Sequence, residues 1–318
     1  MTTLTTTFSE LMNRHRTARQ ARRKVTNAVM LSLTVLLTLL ALIPLFWIII
    51  YVILRGGQYI NLDFFTRLPR PPFMPGGGVL HAIEGTIILS ILAGLFSIPP
   101  GVLAAFYAAR NPNTPLGMAV RFGTDVLSGV PSIVIGLIGY ALIVEPQGHY
   151  SALAGGIALA ILMLPIILRT TEEMLKLVPH SLREASLALG AAEWKTSLSV
   201  LFPAALNGII TGFLLAIARA AGETAPLLLT ALGNDRYDIG QIVRSGLQTH
   251  QNVFQILGRI VNQPVDSLPL TLFKYSQQPY PDRISQAWAV ALVLMIFVLL
   301  INIIARAWVQ IRARRLQG

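Results

Sequence analysis

Residues 179–203 read PHSLREASLALGAAEWKTSLSVLFP, a polar segment that lies between two long apolar runs. The segment is too polar to cross a membrane, yet it keeps the periodicity of a helix. The residues that share one helix face are Leu182, Ala185, Ser186 and Leu189. The pattern therefore predicts helical structure on the surface of a membrane.

Local signals predict where helices begin and end in this segment. Ser181 and Glu184 have the S-x-x-E spacing of a capping box, which predicts a helix start at Ser181. Gly190 suits a left-handed terminating residue. Residues 191–202 then resume an amphipathic pattern that ends at Pro203. The result is a helix, a turn and a helix, which suits either an interfacial hairpin or a docking element for a soluble partner.

Apolar runs long enough to cross a membrane dominate the rest of the chain. The sequence is 54% hydrophobic and only 12% charged over 318 residues, with a mean hydropathy of +0.64. A soluble core could not bury that much apolar surface, so lipid must cover the excess. We predict an all-α integral membrane protein with six transmembrane helices, near residues 29–54, 82–109, 126–144, 152–168, 204–232 and 284–305.

Basic residues in the short connections predict the orientation. Positively charged flanks stay in the cytoplasm, so we expect both termini and the segment 170–203 on the cytoplasmic side. The basic residues of the tails include Arg14, Arg16, Arg19, Arg22, Arg23, Lys24, Arg306, Arg312, Arg314 and Arg315. The predicted organisation is a basic tail 1–28, a first helix 29–54, an external loop 55–81, a core 82–305 with an external loop 233–283, and a basic tail 306–318.

Several function classes are excluded or disfavoured by what the sequence lacks. The net charge of +11 could suggest nucleic acid, but the basic residues gather at the ends and beside apolar runs. There is no cysteine, and the five histidines are far apart, so we propose no metal site. No G-x-x-x-x-G-K-[ST], H-E-x-x-H or G-x-S-x-G motif occurs. We therefore predict a chain that is not an enzyme and holds no nucleotide.

The fifth apolar run contains two charged residues, Arg219 and Glu223, four residues apart. A charge at membrane depth is costly unless it is paired or faces a wet cavity, so these residues are functional candidates. They could form an internal ion pair, bind a transported anion, or do both, because the arginine fork suits an oxyanion. Pro226 lacks an amide hydrogen and should bend the helix beside them.

Further charged residues lie near the predicted cytoplasmic ends of helices. Arg169 precedes Glu173 by one helical turn, and Arg121 precedes Asp125 by the same interval. Both arrangements predict surface ion pairs within one helix, with a structural role.

The polar segment resembles the EAA loop of ABC importer permeases. The residues that carry the resemblance are Glu184, Ala185, Ser186, Gly190, Val200 and Pro203. Ser186, Val200 and Phe202 replace the usual Ala, Ile and Leu, which are conservative changes. The resemblance implies a type I (MetI-like) permease fold, in which this loop is the coupling helix that inserts into a cleft of the ATPase subunit.

Three further stretches resemble the PstA-type phosphate permeases. They are residues 128–136 (SGVPSIVIG), 221–228 (AGETAPLL) and 276–282 (SQQPYPD), the last followed by Ala-Trp-Ala at 287–289. The resemblance implies that Arg169, Arg219 and Glu223 are associated with phosphate passage.

The same resemblance implies partners and a location. The partners would be a PstC-type permease, a PstB-type ATPase dimer that binds the ATP, and an external PstS-type phosphate-binding protein. The location would be the bacterial inner membrane, with no cofactor in this chain. The residues alone leave two alternatives open, namely an importer for phosphonate, sulfate or molybdate and an ion-coupled secondary transporter.

Overall fold

The computed structural model describes the backbone of residues 2–71, 73–74 and 76–317, without the side chains of 2–21, 305, 309–310 and 312–317. Some basic residues of the predicted tails lie outside the described side chains, namely Arg14, Arg16, Arg19, Arg312, Arg314 and Arg315.

In the described part of the chain, every regular element is a helix, and a single isolated parallel β-bridge joins Leu232 to Val265. The prediction of an all-α protein is confirmed. The helices are α1 (Thr2–Gly56), α2 (Leu62–Thr66), α3 (Leu80–Arg110), α4 (Pro115–Gly129), α5 (Ser132–Gly139), α6 (Glu145–Gln147), α7 (Ala152–Lys176), α8 (His180–Ala188), α9 (Glu193–Thr196), α10 (Phe202–Ala220), α11 (Ala225–Thr230), α12 (Ile239–Gln248), α13 (Val253–Val261), α14 (Leu268–Ser276) and α15 (Pro281–Gln317).

The chain divides into two compact units, residues 1–54 and 55–318. The first unit is the greater part of α1. Its apolar side chains from Val29 to Leu45 are largely exposed, as expected of a helix surrounded by lipid. The second unit holds the other helices and two apolar cores, one that includes Leu89 and Leu159 and one that includes Phe64 and Tyr275.

Five single helices within the described residues are long and apolar enough to cross a membrane. They cover Arg22–Tyr59, Leu80–Arg110, Ala152–Lys176, Glu193–Ala220 and Pro281–Trp308. A sixth candidate is the pair formed by Pro115–Gly129 and Ser132–Gln147, which is bent by 104°. Proline explains the bend, because Pro131 disfavours helical geometry at the residue before it, and Val130 is extended with φ −73° and ψ 128°.

The fifth span differs from its predicted limits of 204–232 at both ends. The second helix of the polar segment does not stop at Pro203 but continues from Glu193 to Ala220. Residues 197–201 form a π-helical turn in which the Phe202 amide donates to the Ser197 carbonyl. The wider turn accommodates the absence of an amide hydrogen at Pro203, so the proline lies within the helix. The C-terminal end of the span falls at Ala220 rather than at 232.

Helix α7 lies at the centre of the second unit and packs against α3, α4, α5, α10 and α11. About half of its buried positions are alanine or glycine, which allows neighbouring helices to approach closely. They include Ala152, Ala154, Gly155, Gly156, Ala158 and Ala160. At one such approach between α7 and α10, a Cβ on Gly212 would lie 2.3 Å from the Thr170 hydroxyl. Gly212 and Thr170 are therefore level in the bundle.

Candidate functional site

The polar hairpin, residues 179–203, turns at Gly190. Gly190 has φ +80°, so its predicted left-handed conformation is confirmed. The amide of Ala191 donates to Ser186, and that of Gly190 donates to Leu187, which satisfies carbonyls at the end of α8. A side chain at Gly190 would meet open space, so backbone geometry rather than packing favours glycine there.

The predicted capping box at Ser181 and Glu184 is wrong. Helix α8 begins at His180, and its N-cap residue is Pro179, which makes no side-chain capping bond. Because the proline cannot continue the preceding helix, a new helix begins directly after it, and the Pro179 carbonyl accepts from Leu182. Ser181 therefore lies within the first turn, where its hydroxyl is not at the capping position.

Ion pairs and a hydroxyl contact hold the polar hairpin in shape. The Glu193 carboxylate accepts hydrogen bonds from Arg110 at the end of α3 and from Arg183 on α8. The hydroxyls of Ser186 and Thr196 lie 2.9 Å apart and join the two arms. The hairpin is thereby tied to a membrane-spanning helix.

Much of the polar hairpin is exposed. Glu184, Ala185 and Gly190 are all exposed. Beside them, Leu189 is 89% exposed and Trp194 is 68% exposed. Large apolar side chains surrounded by polar residues are typical of a surface that a partner covers.

Arg219 lies in the last turn of α10 and Glu223 lies beyond a break in the helix, so their spacing of four residues does not place them on one helix face. Helix α10 ends at Ala220, and the Glu223 amide donates to the Ala220 carbonyl within a turn. The break is stronger than the predicted bend at Pro226, because that proline occupies the first turn of the separate helix α11. Arg219 Nε and Glu223 Oε1 are 3.7 Å apart, and the side chains are 63% and 20% exposed.

Arg219 and Arg169 occupy two levels of the same bundle. Arg219 follows Gly212 by seven residues, which corresponds to about 10 Å along α10. Arg169 directly precedes Thr170, which is level with Gly212. The backbones of the two arginines are therefore separated by roughly 10 Å along the helix axes.

The predicted ion pairs around Arg169 are exchanged between helices. Arg169 bonds to Asp125 on α4 and not to Glu173. Arg121 bonds to Glu172 on α7, with Nε 2.8 Å from Oε1, and not to Asp125. Because α4 packs on α7, the carboxylates of the facing helix lie closer than those one turn away. Sequence spacing alone could not reveal this exchange.

These charged residues surround a hollow of about 210 Å³, which we call the inner hollow. Its lining consists of Arg121, Thr124, Asp125, Leu168, Arg169, Glu172, Glu173 and Lys176. The buried Glu172 carboxylate also accepts from Lys176 at 2.6 Å. The inner hollow thus combines three cationic and three acidic side chains.

A buried charge cluster that the sequence did not reveal lies where the first turn of α3 meets α14 and the connecting segments before α12 and α14. His81 and Asp266 are fully buried, with His81 Nε2 3.6 Å from Asp266 Oδ2. The Lys274 ammonium lies 2.6 Å from Asp266 and 2.9 Å from the half-exposed Asp235. These residues come from distant parts of the sequence, so no local motif marked them.

The electrostatics of this cluster keep its charges in place. Burial opposes the charged form of Asp266, but His81 and the Lys274 ammonium outweigh it and hold the Asp266 pKa below its ordinary value. Burial also opposes charge on Lys274, yet the two carboxylates hold its pKa above the ordinary value. His81, Asp235 and Asp266 have metal-ligand spacing, but the ammonium already bonds both carboxylates. We therefore treat the cluster as structural.

Comparison with known protein families gives a match over most of the chain. Residues 101–318 match the family model described as binding-protein-dependent transport system inner membrane component. The phosphate transport system permease protein PstA of Yersinia pestis is 39% identical over 292 residues, which are 92% of each chain. The protein of that name from Xylella fastidiosa (strain Temecula1) is 41% identical over 288 residues, 90% of this chain and 93% of the relative.

The fold is also similar to that of solved transporters. An inward-facing structure of the MetNI methionine ABC transporter aligns with a TM-score of 0.55 at 19% identity. The alignment covers 73% of this chain and 94% of the solved chain. The predicted MetI-like fold is confirmed.

Proposed function

We propose a path for an oxyanion through this chain, which belongs to the family of binding-protein-dependent transport system inner membrane components and, within it, to the PstA phosphate transport permeases. The chain is the transmembrane permease subunit of a phosphate ABC importer in the inner membrane. It is not an enzyme, because ATP hydrolysis in this family belongs to a separate subunit. An ATPase and an external binding protein are therefore its partners.

The observation that supports the proposed path is the exposure of Arg219 beside the end of α10. A side chain with a permanent charge, 63% exposed beside apolar helices, requires water or an anion next to it. The neighbouring Glu223 lies 3.7 Å away, too far for a tight charged hydrogen bond, so the guanidinium keeps donors for an oxyanion. Arg219 and Glu223 would thus form the outer station of the path.

Arg169 would form the inner station, about 10 Å further along the helix axes. Two cationic stations at this spacing let an anion leave one before it is fully bound at the next. Conduction needs such moderate, multi-site binding, because a single tight site would trap the phosphate. The carboxylates beside both arginines support this interpretation, since they compensate the charge when no anion is present.

The polar hairpin would couple this path to the ATPase. Its exposed residues Glu184, Ala185 and Gly190 would enter a cleft of the ATPase dimer, with Leu189 and Trp194 as apolar contacts. Glu193 would transmit the movement, because it bonds both Arg183 of the hairpin and Arg110 of α3. Pro203, inside the continuous helix from 193 to 220, would carry the same movement towards Arg219.

We assign the partners and the orientation from the same family. The second permease would be of PstC type, the ATPase dimer of PstB type and the external binding protein of PstS type. Both termini would lie in the cytoplasm, so the hairpin faces the ATPase and residues 233–283 face the binding protein. ATP would bind to the ATPase, with no cofactor in this chain.

The experiment is phosphate uptake by the complete complex in proteoliposomes. We expect Arg219→Gln to lower uptake roughly tenfold or more, because a charged hydrogen bond is worth about 1.5–3 kcal/mol. Arg67→Gln, which removes a half-exposed arginine paired with Asp63 four residues away, is the matched control and should transport normally. Normal uptake by Arg219→Gln in an intact complex would refute the path.

The choice of anion is tested in the same preparation. Phosphate presented with its binding protein should stimulate ATP hydrolysis, whereas sulfate, molybdate and phosphonate should not. Stimulation by one of those anions alone would assign the complex to another oxyanion, and transport by this chain without an ATPase would indicate a secondary transporter.

A further inference from the structure

The two ion-paired groups in the inner hollow differ in how firmly they are held. Glu172 is buried, and its carboxylate accepts from both Arg121 and Lys176. Arg121 also donates to the backbone carbonyl of Ala108 at 2.9 Å and to that of Pro112 at 3.2 Å. All three charged side chains of this group are therefore committed to structure.

The pair between Arg169 and Asp125 is held by little else. Their side chains are 53% and 60% exposed, and no other hydrogen bond from either side chain is present in the described part of the chain. Exposed ion pairs contribute little to stability, because water competes for both partners. Arg169 and Asp125 can therefore separate without disturbing the packing of α4 on α7.

A carboxylate and a phosphate compete for the same donors of an arginine. Both present two oxygens at a separation that matches the guanidinium fork. In the inner hollow, the Asp125 carboxylate occupies donors of Arg169 that a transported oxyanion would use. The hollow of about 210 Å³ has room for a small anion with water, since each water fills about 30 Å³.

We propose that Asp125 is the displaceable counter-ion of the inner station, which returns to Arg169 and thereby releases the oxyanion towards the cytoplasm. The inference deepens the function proposed above and rests on the role of Arg169 in that path. The ligand class is a tetrahedral oxyanion, and the exchange involves no covalent step. Asp125 acts as a positioning residue, because it works through Arg169.

A difference between the two stations supports a direction for this exchange. Glu223 lies 3.7 Å from Arg219, whereas Asp125 makes a direct hydrogen bond to Arg169. The outer arginine is thus less strongly occupied and is available for an arriving anion. The inner arginine has a competing carboxylate in contact, which favours departure of the anion.

The test is the inhibition of uptake by phosphate trapped inside the vesicles. The complete complex with its binding protein is reconstituted, and phosphate uptake is measured against increasing internal phosphate. We expect Asp125→Asn to slow uptake. The internal phosphate concentration at which uptake is halved should fall about tenfold, because a charged competitor for Arg169 is lost. Asp125→Glu should restore both values towards those of the wild type.

A matched control separates this competition from a general change in charge. Glu173→Gln removes one exposed carboxylate from the same hollow without releasing an arginine, and it should change the half-inhibitory concentration by less than about twofold. An equal shift in Asp125→Asn and Glu173→Gln would overturn the proposal. So would an Asp125→Asn complex that transports slowly with the wild-type response to internal phosphate, because that result indicates a structural role.

Arg169→Gln distinguishes failure of this inference from failure of the proposed path. If Arg169→Gln loses uptake while Asp125→Asn keeps the wild-type internal response, only the counter-ion inference fails. If Arg169→Gln transports normally, the inner station itself fails, and the role of Asp125 fails with it.

Discussion

Replacement of Lys274 by methionine tests the buried charge cluster most directly. The change keeps the length of the side chain but removes the ammonium, which lies 2.6 Å from Asp266 Oδ2 and 2.9 Å from Asp235 Oδ1. Asp266 is fully buried and would keep its negative charge without a cation in contact. The main consequence is therefore the cost of an uncompensated buried carboxylate.

The expected magnitude follows from the burial of each partner. Removal of one partner from a buried ion pair costs about 3–5 kcal/mol. Lys274 is 28% exposed, so water can reach part of the site, and we expect the lower end, about 3 kcal/mol. At roughly 2 °C per kcal/mol for a chain of this size, the Tm of the variant should fall by about 6 °C.

The pH dependence gives this prediction a sign. In the wild type, the lowered pKa of Asp266 makes its contribution complete above its unfolded pKa, and the contribution is lost as pH falls through the folded pKa. The raised pKa of Lys274 makes its contribution complete below its unfolded pKa, and that contribution is lost as pH rises through the folded pKa. Both contributions are therefore complete near neutral pH.

Without the ammonium, burial should raise the pKa of Asp266, and protonation then removes the uncompensated charge. Asp235, half exposed, stays solvated and changes the balance little. The Tm difference between variant and wild type should therefore become smaller between about pH 8 and about pH 5.

The assay is thermal unfolding of the purified complex in detergent across this pH range. Asp235→Asn is the matched control, because it removes a half-exposed partner of the same lysine and should cost about 1 kcal/mol or less. A Tm loss in Lys274→Met no greater than in Asp235→Asn would refute the reasoning. A loss that is independent of pH would refute the electrostatic cause.

Three further substitutions test other parts of the chain. Gly190→Val places a branched side chain at φ +80°, which costs about 1–2 kcal/mol. A complex with this distorted hairpin should hydrolyse ATP without matching phosphate uptake, and a wild-type ratio of uptake to hydrolysis would contradict this. Gly136→Ala puts a Cβ 2.7 Å from Pro226 Cα, so overpacking between α5 and α11 should cost about 1–3 kcal/mol in detergent unfolding, and an unchanged Tm would argue against that close contact. Glu172→Gln removes the charge of a buried carboxylate that bonds two cations and should cost about 1–3 kcal/mol, several times more than Glu173→Gln; equal Tm values would disprove the difference.

Much of the architecture follows from local properties of the sequence. Apolar runs of about 20 residues predict membrane helices wherever they occur, because the thickness of the hydrocarbon core determines their length. Gly190 could be predicted as left-handed for a similarly local reason, since glycine has no Cβ to disfavour that conformation. The polar hairpin and the arginine in the fifth span could also be predicted, because their polarity contrasts with the apolar residues next to them in the sequence.

Proline and backbone hydrogen bonding determined the helix limits that were predicted wrongly from the sequence. Pro203 continues within a helix because a π-helical turn compensates its missing amide hydrogen, whereas Pro131 coincides with a bend of 104°. One residue type thus gave two outcomes, which the presence of proline in the sequence did not distinguish. The end of α10 at Ala220, beside Arg219, was likewise not predictable from the sequence.

Tertiary structure alone decided which charged residues meet. Spacing of four residues suggested Arg169 with Glu173, but the facing helix brings Asp125 closer. His81 and Lys274 are separated by most of the chain, yet both contact the same buried Asp266. Hydropathy and turn preferences depend on near neighbours in sequence, whereas electrostatic pairing depends on distance in space, and only the packing of the helices determines that distance.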